Sequence, residues 1–143
     1  MNRIKINLPK EFSFVTNIKI RITDLNYGGH VGNDRILALL QEARQEYLLH
    51  FGYGELDFEG LGLIMADVAI EYKSELKYGQ TVAISVQAAD FDKLGFDLFY
   101  KMEIIAEPEN ILAAKAKTGM ICYDYQTNKK TNIPEAALLK MSI

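Results

Sequence analysis

Cysteine, histidine and tryptophan are scarce in this chain, and their scarcity excludes several kinds of site. Among 143 residues there are one cysteine, two histidines and no tryptophan. The single cysteine, Cys122, cannot form an intrachain disulfide or a cluster of thiolate ligands. With only His30 and His50 available as imidazole ligands, a structural zinc site is not expected. Composition therefore gives no support for a structural metal site.

An excess of charge and long apolar runs are lacking as well. Sixteen basic and 19 acidic residues give a net charge of −3, so the chain has no general attraction for nucleic acids or anionic membranes. It has no run of about 18 apolar residues, and its N-terminal sequence lacks the apolar core of a secretion signal. We therefore expect no nucleic-acid partner, no membrane partner and a cytosolic location.

The rest of the composition is that of an ordinary globular domain. Hydrophobic residues make up 49% of the chain and charged residues 24%, and neither a linker nor an internal repeat interrupts it. A length of 143 residues is enough to bury a substantial core. We therefore predict a single domain over residues 1–143.

Apolar periodicity predicts a strand, a long helix and four further strands. Residues 14–23 alternate in polarity, so one face should carry Phe14, Thr16, Ile18, Ile20 and Ile22. Asn33 or Asp34 is a suitable N-cap for a helix over residues 34–50, and Gly52 is a suitable stop. The later strands are predicted at residues 63–73, 81–88, 94–104 and 111–125, before a short terminal helix at 135–141.

The arrangement of these elements predicts an α+β fold. The last four strands are joined by short turns, which favour antiparallel neighbours, and the long helix is segregated from them. The helix has no polar face from Ile36 to Leu40, so we expect a curved sheet to wrap most of its first half. In strand 63–73, alternation should place Ile64, Ala66, Val68, Ile70 and Tyr72 on one face.

The connection between the first strand and the long helix concentrates the groups of a candidate site. From Asp24 to Asn33 it reads DLNYGGHVGN, with three glycines and one of the two histidines. Glycines allow tight turns, and an imidazole can exchange a proton near neutral pH. The free N–H groups and the dipole at the start of the helix, near Asn33, can stabilise a developing oxyanion.

The order of elements and three motifs resemble the hotdog fold, in which an antiparallel sheet wraps a central helix. The step Asp24-x-Asn26-x-x-Gly29-x-Val31, followed by Glu42-Ala43-Arg44, resembles the 4-hydroxybenzoyl-CoA thioesterase-like branch of the hotdog acyl-CoA thioesterases. The segment IEYKSELKYG, residues 70–79, is similar to that branch as well. The likeness covers roughly residues 14 to 125, which is nearly the whole predicted domain.

This resemblance implies an acyl thioester hydrolase that acts on coenzyme A or acyl-carrier-protein substrates and needs no metal ion and no organic cofactor. It also implies a homodimer or homotetramer with the acyl tunnel at the dimer interface, and a sheet with two open edges favours association too. In this branch a backbone N–H at the start of the central helix, here that of Asn33, polarises the thioester carbonyl. The catalytic carboxylate of the family is replaced here by Asn26, which cannot act as a nucleophile or base.

Another group must then activate water. We predict that His30 or Glu42 is the base and that Asn26 orients water or substrate. Asp24 is a further candidate because strand alternation places it on the same side as Asn26, although it can equally serve to bond loop amides. Asn33 contributes its backbone amide.

Substrate contacts are assigned to four more residues. Tyr27, Gly29 and Val31 belong to the loop itself, and Asp67 interrupts an otherwise uncharged strand. Two other functions stay open. One is a non-catalytic protein that binds acyl thioesters, which the loss of the carboxylate at position 26 favours. The other is an acyl-CoA hydratase or dehydratase, in which His30 and Asp24 would act as a pair.

Overall fold

The computed structural model of the protein describes residues 1–142. Its strands are β1 (Phe14–Lys19), β2 (Gly62–Tyr72), β3 (Thr81–Ala89), β4 (Gly95–Ile104), β5 (Ile111–Asp124) and β6 (Lys129–Lys130). Its helices are α1 (Asn33–His50) and α2 (Glu135–Met141), and a short 3-10 helix, Ile22–Asp24, precedes α1. Within the described residues, no helix is long and apolar enough to cross a lipid bilayer.

The strands form one antiparallel sheet in the order β1-β3-β4-β5-β2, with β6 paired to the end of β5. One face of this sheet packs on α1. Alternate residues of β3 and β4 join Leu40, Ala43 and Leu48 of α1 in a single buried core. The helix is also bonded to the sheet, because the Tyr47 hydroxyl accepts the Ala88 N–H at 3.1 Å. The predicted α+β class, a sheet packed around a long helix, is confirmed.

The predicted neighbours of β2 are wrong. β2 pairs with β5, and β3 pairs with β1, so residues 73–80 carry the chain from one side of the sheet to the other. Leu76 in this crossover is buried, and its C=O accepts the N–H of Val31 at 2.9 Å. The crossover is therefore held against the loop before α1, which a hairpin between β2 and β3 would not allow.

A β-bulge in β2 divides the face that was predicted for this strand. The register with β5 shifts between Met65 and Asp67. Ile64 pairs with Ile121 and Val68 pairs with Thr118, and these two partners lie on opposite faces of β5. The prediction that Ile64 and Val68 share a face is therefore wrong, because the extra residue reverses the alternation.

Two boundaries near the candidate loop also differ from prediction. β1 ends at Lys19, and Ile22, which was expected to share a strand face with the buried Ile20, is 67% exposed. The Asp24 carboxylate accepts the Arg21 N–H at 2.8 Å and closes a 3-10 turn, which takes this segment out of the strand. α1 begins at Asn33 with Gly32 in the N-cap position, so neither Asn33 nor Asp34 caps it.

The predicted end of α1 is confirmed. The prediction that the sheet wraps most of its first half is not. Gly52 has a φ of 82°, and its N–H donates to the Leu49 C=O at 2.9 Å, as expected for a glycine that stops a helix. In the first half, Ile36 and Leu40 are buried but Ala38 is exposed. One side of α1 is thus left open by the sheet.

Arg44 is almost wholly buried among the apolar residues of α1. Its Nε donates to Glu55 Oε1 at 2.6 Å, and its Nη1 donates to the Tyr100 hydroxyl at 3.3 Å. That hydroxyl is also bonded to Thr118 Oγ1 at 2.8 Å. Burial alone would lower the pKa of Arg44, but Tyr100 and Glu55 outweigh it and hold the pKa above its ordinary value. This network fixes α1 to β4, to β5 and to the loop after α1.

We expect Glu55→Ala to lower the free energy of unfolding by about 2 kcal/mol, because it leaves the buried guanidinium without its counter-ion. The matched control is Glu11→Ala, which removes an exposed carboxylate and should cost less than about 0.5 kcal/mol. Urea unfolding of both variants measures the difference. Equal unfolding midpoints would show that the ion pair with Glu55 does not hold α1.

Candidate active site

The loop between the 3-10 helix and α1 is a closed turn rather than an open connection. The Asn26 N–H donates to the His30 C=O at 2.9 Å, and the Gly29 N–H donates to the Asn26 C=O at 3.1 Å. Gly29 adopts a φ of 82°, a conformation that favours glycine. Leu25 and Val31 form a β-bridge that closes the base of the turn. The loop therefore has a defined shape next to the start of α1.

The crossover after β2 lies opposite the start of α1. The Tyr72 hydroxyl donates to the Asn33 C=O at 3.1 Å, and Val31 is bonded to Leu76. Between the loop and the crossover is a cavity of about 280 Å³. His30, Val31, Asn33 and Ile36 line it from one side, and residues 72–76 line it from the other.

The start of α1, at the edge of this cavity, has backbone N–H groups that the helix itself does not bond. The first helical hydrogen bond runs from the Arg35 N–H to the Gly32 C=O at 3.0 Å, so the amides of Asn33 and Asp34 lie ahead of the helical pattern. Gly32, as N-cap, contributes no side chain that could bond them. Together with the positive end of the helix dipole, these amides can donate hydrogen bonds to an oxygen atom that develops negative charge.

His30 lies in the wall of the cavity with its ring partly exposed. Its Nδ1 is 3.3 Å from the Val31 carbonyl oxygen, and its Nε2 is 3.9 Å from Glu75 Oε1. A proton on Nδ1 would be donated to Val31 and would leave Nε2 able to take a proton. The Glu75 carboxylate lies on the Nε2 side of the ring, at the rim of the cavity.

Asn26 lies between His30 and the start of α1. Its Oδ1 accepts the Gly28 N–H at 2.8 Å. A β-carbon built on Gly28 would be 3.1 Å from Asn26 Oδ1 and 3.5 Å from His30 Nε2. One built on Gly32 would be 3.5 Å from Asn26 Nδ2. The structure thus places Asn26 close to His30 and to the N-cap of α1, although Asn26 itself does not line the cavity.

Asp24 and Glu42, the other predicted catalytic residues, lie elsewhere. The Asp24 side chain is only 3% exposed, and it lies 3.6 Å from Arg21 and 3.7 Å from Arg35. Glu42 is exposed and faces a cavity between β1 and α1, which the His30 ring does not line. In the structure Asp24 therefore holds the 3-10 turn, and neither carboxylate lines the cavity beside His30.

The four residues assigned to substrate contacts are placed differently from one another. Val31 lines the cavity, and Gly29 forms its neighbouring turn. The Tyr27 side chain projects fully into solvent. Asp67 lies on the sheet face that points away from α1, where its Oδ1 accepts Lys117 Nζ at 2.8 Å and the Gly119 N–H at 3.0 Å.

Tyr72 and Glu75 were missed from the sequence. Both belong to the segment IEYKSELKYG, which carried part of the family resemblance, but the segment gave no reason to assign either residue to the site. Their position depends on the crossover, which the predicted strand order did not contain. Among residues 1–142, no three His, Cys, Asp or Glu side chains are grouped to hold a metal ion.

Cys122 should not react in the native protein. Its side chain is fully buried in β5, and burial raises the pKa of the thiol to about 11. We expect no reaction with Ellman's reagent at neutral pH until the protein unfolds. Rapid labelling of one thiol per native chain would contradict the burial of Cys122.

Asp67→Asn tests whether the ion pair between Asp67 and Lys117 stabilises the folded protein. The hydrogen bond from Lys117 holds the pKa of Asp67 below its ordinary value. The ionised Asp67 carboxylate therefore stabilises the folded protein fully above the ordinary carboxyl pKa. This stabilisation is lost as the pH falls through the lowered pKa of Asp67 in the folded protein. We expect a small loss of stability at about pH 7 that disappears at about pH 2, measured by urea unfolding. Asp57→Asn is the control, and a loss that persists in acid would contradict the pairing.

Comparison with known proteins identifies the family. The profile of the Thioesterase-like superfamily matches residues 20–141. The chain is 26% identical over 121 residues to Putative acyl-CoA thioesterase YneP of Bacillus subtilis (strain 168), which covers 83% of this chain and 86% of that protein.

Solved structures show the same fold. Slr0204, a 1,4-dihydroxy-2-naphthoyl-CoA thioesterase from Synechocystis, superposes with a TM-score of 0.79 at 16% identity, over 90% of this chain and 94% of that chain. A 4-hydroxybenzoyl-CoA thioesterase variant complexed with 4-hydroxybenzoyl-CoA superposes with a TM-score of 0.82 at 13% identity. The match covers 90% of this chain and 98% of that chain. The hotdog fold that the sequence motifs predicted is therefore confirmed, and the chain belongs to the thioesterase-like superfamily.

Proposed function

We propose that the chain hydrolyses acyl-CoA thioesters in the cavity between the start of α1 and the crossover after β2. The observation that carries the proposal is that His30 and Asn33 line one cavity, with Asn26 close by in the same turn. It supplies a proton acceptor, a polar group to orient water and donors for an oxyanion. Family membership and the likeness to YneP support the thioester as the substrate.

The reaction proceeds by direct attack of water. His30 Nε2 takes a proton from water as the oxygen bonds to the carbonyl carbon, and the carbonyl oxygen becomes an oxyanion held by the Asn33 amide. Collapse of this intermediate breaks the carbon–sulfur bond. The imidazolium returns its proton to the departing sulfur, which leaves as the free thiol of coenzyme A, and the acyl group leaves as a carboxylic acid.

Asn26 and Glu75 support this step without taking part in bond formation. The carboxamide of Asn26 is too weak a nucleophile to form an acyl intermediate, which favours attack by water. Its position beside both Gly28 and Gly32 lets it orient that water between His30 and the helix. Glu75 Oε1 is 3.9 Å from His30 Nε2, so the carboxylate lies on the side of the ring where the proton is taken up.

A second copy of the chain is proposed as the partner at β2. This strand is an 11-residue edge of the sheet, and it exposes Met65, Val68 and Tyr72. Open edges with apolar side chains favour pairing with another strand. We propose a homodimer, with a homotetramer as the larger assembly. The cytosolic location and a carrier-protein substrate stay predictions of the sequence.

Thiol release from a panel of aliphatic and aromatic acyl-CoAs tests the proposal. We expect the parent protein to release one thiol per acid formed, and His30→Gln to lower kcat by about 10² to 10⁴. Asn26→Ala should lower it by about 10². His50→Gln removes the other histidine, which does not line the cavity, and should leave kcat unchanged. Glu42→Gln distinguishes the alternative base that the sequence predicted.

The other functions give different results in the same assay. A protein that only binds thioesters would gain thermal stability with an acyl-CoA and release no thiol. The amide side chain of Asn26, in place of a carboxylate, is the observation that favours this function. A hydratase would change the absorbance of an enoyl-CoA without releasing coenzyme A. The paired His30 and Asp24 that it would need are not brought together, because Asp24 is held by Arg21 and Arg35.

A further inference from the structure

The N-terminal segment, residues 1–5, lies beside the end of β2 and forms the wall of a second cavity. This cavity has a volume of about 530 Å³ and is lined by residues 1–5 and 70–73. Tyr72 and Lys73 also line the candidate active site, so the two cavities adjoin. A ligand that leaves the active site past Tyr72 therefore reaches the N-terminal segment.

The second cavity is basic although the chain as a whole is acidic. Three basic side chains line it, those of Arg3, Lys5 and Lys73, against one acidic side chain, that of Glu71. Glu71 is directly opposite Lys115 in the register of β2 with β5, so a further cation faces it. The net charge of the chain is −3, and this local excess of positive charge has the opposite sign.

We propose that Arg3, Lys5 and Lys73 bind the phosphate groups of coenzyme A while its thioester lies at the start of α1. The inference rests on the proposed function, because it takes the thioester carbonyl to be held near Asn33. In that pose the leaving thiol continues into a long polar chain that ends in a diphosphate and a 3′-phosphate. Arginine and lysine are the side chains that bind phosphate oxygens best, arginine through two parallel N–H donors.

The position of the three residues fits this role. All three are exposed and form no ion pair among residues 1–142, so their charges are available to a ligand. Lys73 follows Tyr72, which is bonded to Asn33, and so lies at the junction of the two cavities. Arg3 and Lys5 come from a segment distant in sequence and complete the far side.

Isothermal titration with CoA, 3′-dephospho-CoA and pantetheine tests the assignment. We expect the triple variant Arg3→Ala, Lys5→Ala, Lys73→Ala to bind CoA about tenfold more weakly, which corresponds to about 0.5 kcal/mol for each exposed ion pair. Its binding of pantetheine should be unchanged. The control variant Lys129→Ala, Lys130→Ala loses two exposed lysines of β6, on another part of the sheet, and should bind CoA like the parent.

The outcomes separate this inference from the proposed function. Equal weakening for CoA and pantetheine, unchanged CoA affinity in the triple variant, or no CoA binding by the parent would each overturn the phosphate site. Binding of CoA that depends on Arg3, Lys5 and Lys73 without any thiol release would support the phosphate site while contradicting hydrolysis. In the active protein, the triple variant should raise KM for an acyl-CoA about tenfold with kcat unchanged, and leave KM for an acyl-N-acetylcysteamine unchanged.

Discussion

Burial of α1 against one face of the sheet is the constraint on which the rest of the structure depends. Leu40, Ala43 and Leu48 are fully enclosed, and this apolar contact holds most of the core together. Arg44 lies on the same buried side, so it needs Glu55 and Tyr100 to compensate its charge. With its middle fixed in this way, α1 cannot move its first turn away from the sheet edge at β2.

The position of that first turn connects the fold to the chemistry. The first amides of a helix have no partner within it, and here the N-cap is Gly32, which has no side chain to bond them. The loop before it is closed by its own hydrogen bonds and by the crossover through Leu76. His30 and the amide of Asn33 are consequently held in place before a substrate binds, and such preorganisation is what stabilises a transition state.

Much of this fold followed from local patterns. α2 was predicted with its observed bounds, and the strands β3, β4 and β5 within one residue, because their alternation and turns are local signals. The bulge at Met65 and the pairing of β2 with β5 could not be predicted, since both depend on partners distant in sequence. The end of β1 was misjudged because Asp24 bonds the Arg21 amide and closes a turn inside an alternating pattern.

The site was predictable to a similar extent. Asn26, His30 and Asn33 lie in one short loop, so their closeness could be inferred from sequence. Glu75 and Tyr72 enter the site only through the crossover, and no local pattern indicates where a crossover passes. Glu42 was expected near the cleft, but the helix turns it toward β1. Arg3 and Lys5 could not be assigned to a phosphate site from sequence, because residues 1–5 meet β2 only in three dimensions.

The central claim is that the first amides of α1 hold the carbonyl oxygen of an acyl thioester. The most direct test is a two-dimensional ¹H–¹⁵N NMR titration with a CoA ketone, in which a methylene group replaces the sulfur so that hydrolysis cannot occur. We expect a large downfield shift of the Asn33 amide proton, with smaller shifts at Asn26 and His30. Shifts centred on the cavity between β1 and α1, beside Glu42, with Asn33 unchanged, would contradict it.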